Sequence, residues 1–98
     1  MKLMTKEIMK KLPKLYSQEK VADPMAMVKF FDPCGSWTWY ATEGEPVGDD
    51  FRFFGLVKGH EAELGYFMLS ELQSVRGPLG LGIERDLYFK PKPLSEVK

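Results

Sequence analysis

Apolar residues recur near one helical face at Met4, Ile8, Leu12 and Leu15, while Lys6, Lys10 and Lys14 repeat every fourth position on another. The spacing predicts a short helix over Lys6 to Leu12, laid on the core by its apolar stripe. Thr5 suits its N-cap, because a hydroxyl there accepts a bond from an orphan N–H of the first turn. Met4 and Met9 hold the positions of a hydrophobic staple, and Pro13 ends the helix. Residues 16–24 read as a connection. Met25 to Phe31 then reads as a strand that closes in the turn formers Asp32-Pro33-Cys34-Gly35-Ser36. The next run, Trp37 to Thr42, is dense in aromatic and β-branched residues, so the two strands form a hairpin. Trp37, Trp39 and Ala41 share one face of it, and Thr38, Tyr40 and Thr42 share the other.

Glu43 to Asp50 holds two glycines, a proline and several acids, and is predicted as a mobile acidic loop. Phe51–Lys58 and Ala62–Met68 follow as third and fourth strands around Gly59-His60-Glu61. Gly55 and Gly65 inside them predict a bulge or a close backbone approach. Ser70-Glu71-Leu72-Gln73 matches a capping box, with Ser70 as N-cap of a helix from Glu71 to about Val75, stopped by Gly77-Pro78. Ile83 to Phe89 is the final strand, Pro91 and Pro93 end regular pairing, and 94–98 is a tail. Connections this short join antiparallel neighbours. The predicted class is α+β, a small and mostly antiparallel sheet of about five strands with an N-terminal helix and a second short helix.

At 98 residues the chain is read as one domain, 1–98, that buries roughly two-thirds of its unfolded surface without a disulfide or metal staple. Its one cysteine, Cys34, excludes an intramolecular disulfide and, with six methionines, fits a reducing interior. The N-terminus is charged too early for a signal peptide, and no apolar run has membrane-spanning length. Cytoplasm is the expected compartment, with no membrane partner. Net charge is zero but unevenly placed. Residues 1–20 carry six lysines against Glu7 and Glu19, whereas residues 21–89 carry five basic and eleven acidic groups. An acidic body with basic ends argues against a broad duplex-DNA face, whose affinity comes from phosphate neutralisation.

Four constellations could carry chemistry. Cys34 and His60 are the strong soft ligands, but structural zinc wants four Cys or His groups and no CxxC or HExxH spacing is present, so no metal and no cofactor are assigned. A nucleophilic site would need Cys34, His60 and a carboxylate to converge, and composition alone licenses no reaction class. Arg76 and Arg85 stand among Glu63, Glu71, Glu84 and Asp86. One of Arg85 and Asp86 faces inward and requires a partner, such as Glu63 or Glu71, and read structurally the set is a buried ion pair that fixes the final strand against the sheet. Read functionally, Arg76 and Arg85 make an anion or partner site. Finally, aromatics reach 13%, more than one face of a small sheet must bury. At least one exposed aromatic patch is expected, and such patches mark partner surfaces.

Trp37-Thr38-Trp39-Tyr40-Ala41-Thr42-Glu43, Glu63 to Leu72, and Arg76 to Leu81 with Ile83 to Phe89 together carry a resemblance, joined by the opening Leu3 to Ile8 and the run Lys11 to Tyr16. The chain resembles the bacterial family catalogued as domain of unknown function 2958, over nearly its whole length. The resemblance implies a passenger of plasmids, phages and integrative elements, near anti-restriction and DNA-processing genes, and hence an accessory role. That family has no assigned catalytic residues to transfer. The leading expectation is therefore a non-enzymatic accessory protein that binds another protein through Trp37, Trp39, Tyr40, Arg76 and Arg85, with the acidic 43–50 segment meeting a basic surface. The alternatives are single-stranded nucleic-acid binding through Lys6, Lys10 and Lys14, and a small enzyme of unknown reaction. A homodimer through the edge of the last strand is a further possibility.

Overall fold

The computed structural model describes residues 2–97. Helix α1 (Lys6–Lys11) is followed by strands β1 (Met25–Ala26), β2 (Val28–Phe31), β3 (Thr38–Val47), β4 (Asp50–Lys58) and β5 (Ala62–Met68). Helix α2 (Leu69–Ser74) and strands β6 (Glu84–Arg85) and β7 (Lys92–Pro93) complete the order, with 3-10 turns at Pro78–Gly80 and Leu94–Glu96. The main sheet runs β5-β4-β3-β2-β6, every pair antiparallel, and β1 with β7 makes a separate two-stranded ribbon. The α+β class holds.

Local chemistry accounts for most boundaries. Thr5 caps α1 as predicted, its hydroxyl accepting the Ile8 N–H at 3.2 Å, and the helix stops before Pro13. The predicted strand over 25–31 breaks at Met27. The Met27 N–H still donates to the Ala41 carbonyl at 2.8 Å, while Met25 and Ala26 turn away to pair with Pro93 and Lys92. Helix α2 begins earlier than the Ser70 cap implied. Ser70 instead gives its N–H and hydroxyl to the Asp50 carboxylate, and Glu71 accepts the Met68 N–H at 2.8 Å.

Three expectations are corrected. Residues 43–47 are not a mobile loop but the second half of β3, paired from Glu43↔Phe54 to Val47↔Asp50. The turn is only Gly48-Asp49, with Gly48 at φ +60° as the first position of a primed two-residue hairpin turn requires. Gly44 belongs to the core, since a Cβ there would lie 2.5 Å from the Phe51 ring. The final strand ends at Arg85. Asp86 gives one N–H to the Lys29 carbonyl at 2.9 Å and then starts a turn by accepting the Tyr88 N–H at 2.9 Å. The expected tail is also structured: Leu94 is buried, Ser95 donates twice to Asp23, and Lys58 Nζ reaches the Val97 carbonyl at 3.1 Å. Pro93 is tolerated in a strand because β7 is a two-residue edge. Lys98 lies outside the described residues.

The sheet buries both faces. On one, Phe53 meets Phe30, Phe51 and Phe67 with ring centroids 5.4, 5.0 and 5.1 Å away, and Leu3, Met4, Leu12 and Leu72 cover them. On the other, Tyr40 and Leu56 lie under Ala26 of the ribbon and Leu94. Such aromatic clusters add edge and stacking energy to area burial.

The two paired glycines, Gly55 and Gly65, separate sharply. A Cβ on Gly55 would stand 1.8 Å from the Tyr40 carbonyl oxygen, whereas one on Gly65 meets nothing within 4 Å. Gly65 therefore marks neither the bulge nor the close approach expected of it. Gly55→Ala should lose at least about 3 kcal/mol in urea denaturation, as backbone in a packed sheet must shift. Gly65→Ala should be neutral or stabilising by up to about 1 kcal/mol.

Candidate functional site

Between Ala41 and Glu43 the β3 register slips by one residue. Strand side chains alternate, so without the slip Glu43 would share the face of Ala41, inside the phenylalanine core. The bulge sends it to the opposite face instead. There Glu43 is only 3% exposed, and both carboxylate oxygens are used: Oε1 accepts the Tyr16 N–H at 2.9 Å and Oε2 the Gln18 N–H at 2.7 Å. Glu45 accepts the Leu15 N–H at 3.0 Å, and the Gly44 N–H donates to the Pro13 carbonyl at 2.9 Å. These four bonds clasp residues 13–18 onto the sheet. They hold Tyr16 at φ +70°, a left-handed conformation that costs a non-glycine residue about 1–2 kcal/mol.

The clasped chain walls a groove of about 400 Å³. Its floor is Thr42, Glu43, Phe54, Leu64 and Tyr66, and Glu19, Val21, Asp23 and Leu94 stand around it. Tyr66 packs edge-on to Phe54 with centroids 4.9 Å apart, and the Tyr16 ring lies 6.2 Å from it. Arg52 sits 5.0 Å from the Tyr66 ring centre. The hydrogen bond with the Tyr16 side chain raises the Tyr66 phenol above its ordinary value of 10.0, with desolvation and the charges of Tyr16, Glu19 and Glu43 adding to the effect. Three carboxylates and no basic side chain line the groove among the described residues.

Beside the groove runs β5, one edge of the sheet. The Phe54 carbonyl turns toward β3, where it accepts the Thr42 hydroxyl at 3.1 Å. Its cross-strand partner Tyr66 therefore directs its own N–H and C=O away from β4, and the period of two extends this to Leu64 and Ala62. Met68, next in that series, has its N–H taken by Glu71. Gly59 and Glu61 fix the same phase, because the Gly59 N–H donates to the Glu61 carbonyl at 3.1 Å. The edge is unbulged over seven residues, contains no Pro or Lys, and carries one charge, Glu63. Edge strands are ordinarily guarded by such devices.

The sequence-derived residues do not form one surface. Trp37 is half-buried to exposed at 39%, with its ring 6.0 Å from Trp39 and edge-on to His60 at 5.7 Å. Trp37 and His60, together with Val57, Glu61 and Glu63, border a shallow hollow of about 320 Å³. Tyr40 lies on the other face, buried at 8% against Phe89. Arg76 donates to the Gln73 and Val75 carbonyls, both at 2.7 Å. Arg85 donates to the Lys2 and Leu3 carbonyls at 3.0 and 2.7 Å, tying the N-terminal segment to β6. The carboxylates expected for Arg85 are placed otherwise: Glu63 is on the opposite edge strand, roughly four spacings of about 4.8 Å away, and Glu71 caps α2. Asp86 pairs with Lys29 at 3.6 Å. Lys6, Lys10 and Lys14 are exposed. Cys34 lies against Gly77 and His60 against Trp37, and no metal-holding group of His, Cys, Asp or Glu forms among the described residues. Nor is any described helix long and apolar enough to cross a membrane.

The sequence reading missed Tyr16, Glu43, Leu64 and Tyr66. A signal for two of them was present, since Leu64 and Tyr66 alternate with Glu63 and Gly65 as the second face of a strand.

A family model described as Protein of unknown function (DUF2958) matches residues 3–97. No curated protein and no solved structure matches the chain.

Tyr16→Phe removes the first cause of the Tyr66 shift, so the Tyr66 phenol should titrate closer to 10.0. A spectrophotometric or NMR titration reads this directly. An unchanged Tyr66 midpoint would show that the two hydroxyls do not meet.

Proposed function

The chain belongs to the DUF2958 family of proteins of unknown function, and on that footing we propose that it is a non-enzymatic accessory protein of mobile elements. Its activity is to bind another protein by adding an extended segment of that partner to β5. The observation that carries this reading is the open edge itself. Ala62, Leu64 and Tyr66 direct backbone donors and acceptors outward along an unbulged strand, and unpaired edges of this kind recruit strands from other chains. Side chains flank it on both faces: Leu64 and Tyr66 at 55% and 46% exposure on the groove side, and Glu63, Val57, Trp39 and Trp37 on the other. A strand bound there alternates its own side chains between the two. Trp37 and Trp39 thus remain in the proposed surface, while Tyr40 leaves it.

The edge also replaces β6 as the place where two copies would meet, because β6 offers only two residues.

Leu64→Pro tests the reading. Its N–H faces outward, so proline leaves the β4–β5 ladder intact and removes a donor the partner needs. Tagged wild-type protein, captured from host cells and treated with nuclease, should retain a protein that the Leu64→Pro variant, folded by circular dichroism, fails to recover. Equal recovery by both proteins would contradict strand addition. Recovery abolished by nuclease would favour phosphate contacts through Lys6, Lys10 and Lys14.

A further inference from the structure

One strand that fits β5 is β5 itself. In an antiparallel pair of edges, the outward residues Ala62, Leu64 and Tyr66 must take the hydrogen-bonded sites, where each opposed pair exchanges two bonds. A two-fold axis between copies allows few registers that meet this condition. Centred on Leu64, the register sets Leu64 against Leu64 of the other copy and each Ala62 against Tyr66, so all three outward residues are used. Centred on Gly65, it would need Met68, whose N–H already goes to Glu71 at 2.8 Å. Centred on Glu63, it would run past β5 to His60 and put the two Glu63 carboxylates directly opposite, which is destabilising.

Side chains favour the same register. On the groove face Leu64 meets Leu64 at the axis, and each Tyr66 ring faces the single methyl of Ala62; all three positions are exposed. On the other face each Glu63 lies opposite Gly65, and the two carboxylates stand diagonally rather than face to face. Away from the axis, a large residue thus meets a small one in every pair. Gly65 has open space where its Cβ would be, with nothing within 4 Å, and a glycine inside a strand often marks the approach of another backbone. Here that approach comes from outside the chain.

We infer that β5 pairs with β5 of a second copy, antiparallel about Leu64, and joins the two sheets into one. The pairing is reversible, because a few edge residues fall well short of the roughly 800 Å² per partner of a stable interface. Half-dissociation is expected on the order of 100 µM. Dilute protein therefore keeps the edge open, and concentrated protein caps it with a second copy that competes with any other strand. This inference rests on the open edge of the preceding reading and on no property of the partner proposed there.

Sedimentation equilibrium of the purified chain, from about 10 µM to about 1 mM, should show a monomer passing into a dimer. Leu64→Lys and Leu64→Glu should each stay monomeric, since like charges meet at the axis, and an equal mixture of the two should dimerise. Gly65→Lys should tighten the dimer several-fold by facing Glu63 of the other copy, and Gly65→Glu should weaken it. Wild-type protein that stays monomeric up to about 1 mM would overturn the inference, and continued capture of a host protein lost in Leu64→Pro would then leave strand addition standing. A dimer that survives in both Leu64 variants would overturn β5 as the meeting place, and a mixture that stays monomeric would overturn the register. Equal capture by wild type and Leu64→Pro, beside a dimer lost in Leu64→Lys and restored in the mixture, would overturn the earlier reading and support this one.

Discussion

A buried carboxylate bonded to two backbone amides of a distant segment organises one side of this molecule. Glu43 sits on a strand, 3% exposed, and accepts from Tyr16 and Gln18. Removing such a group leaves donors without partners, a loss of about 1–3 kcal/mol for each. Its position depends on the bulge in β3. With the alternation unbroken, the same carboxylate would enter the cluster of Phe30, Phe51, Phe53 and Phe67, where no N–H awaits it. The bulge in turn depends on Gly55, the residue across from Ala41, which has no side chain to collide with the Tyr40 carbonyl. Register, burial and loop placement are therefore one device. The groove exists because residues 13–18 are drawn down onto it.

The two ends of the sheet are finished differently. At the β6 end the strand is two residues long and Arg85 ties it to the N-terminal carbonyls of Lys2 and Leu3. At the β5 end nothing in the described residues closes the strand except the Glu71 carboxylate on the Met68 N–H. Open backbone groups give affinity without sequence preference, while the side chains flanking them select what pairs. The groove on one face and the Trp37 hollow on the other stand on either side of that edge.

Much of the frame was legible from pattern. Period-two alternation located β4 and β5, turn formers located the β2–β3 hairpin, and Thr5 and Pro13 bounded α1. What escaped depended on long-range partners. Glu43 to Val47 carries glycine, proline and acids, a composition that reads as loop, and becomes strand because Gly44 makes room for Phe51 and Glu43 is satisfied by residues far away in sequence. Asp86 ended a strand that its neighbours favoured, by taking a turn of its own. Leu94 reads as tail because its partners, Tyr40 and Leu56, belong to the second face of the sheet. Of the candidate site, Trp37 and Trp39 were legible as aromatics in excess of one face. Leu64 and Tyr66 were legible only as the second face of a strand and Tyr16 not at all, because their grouping follows from the clasp and from which edge is left open.

Amide hydrogen exchange on the free wild-type protein, resolved residue by residue, tests the central claim most directly. An open edge in the stated phase predicts slow exchange at Glu63, Gly65 and Phe67, slow exchange at Tyr16 and Gln18 under Glu43, and fast exchange at Leu64 and Tyr66. Protection of Leu64 and Tyr66 equal to that of Gly65 would contradict it, since the edge would then already be covered or paired in another register.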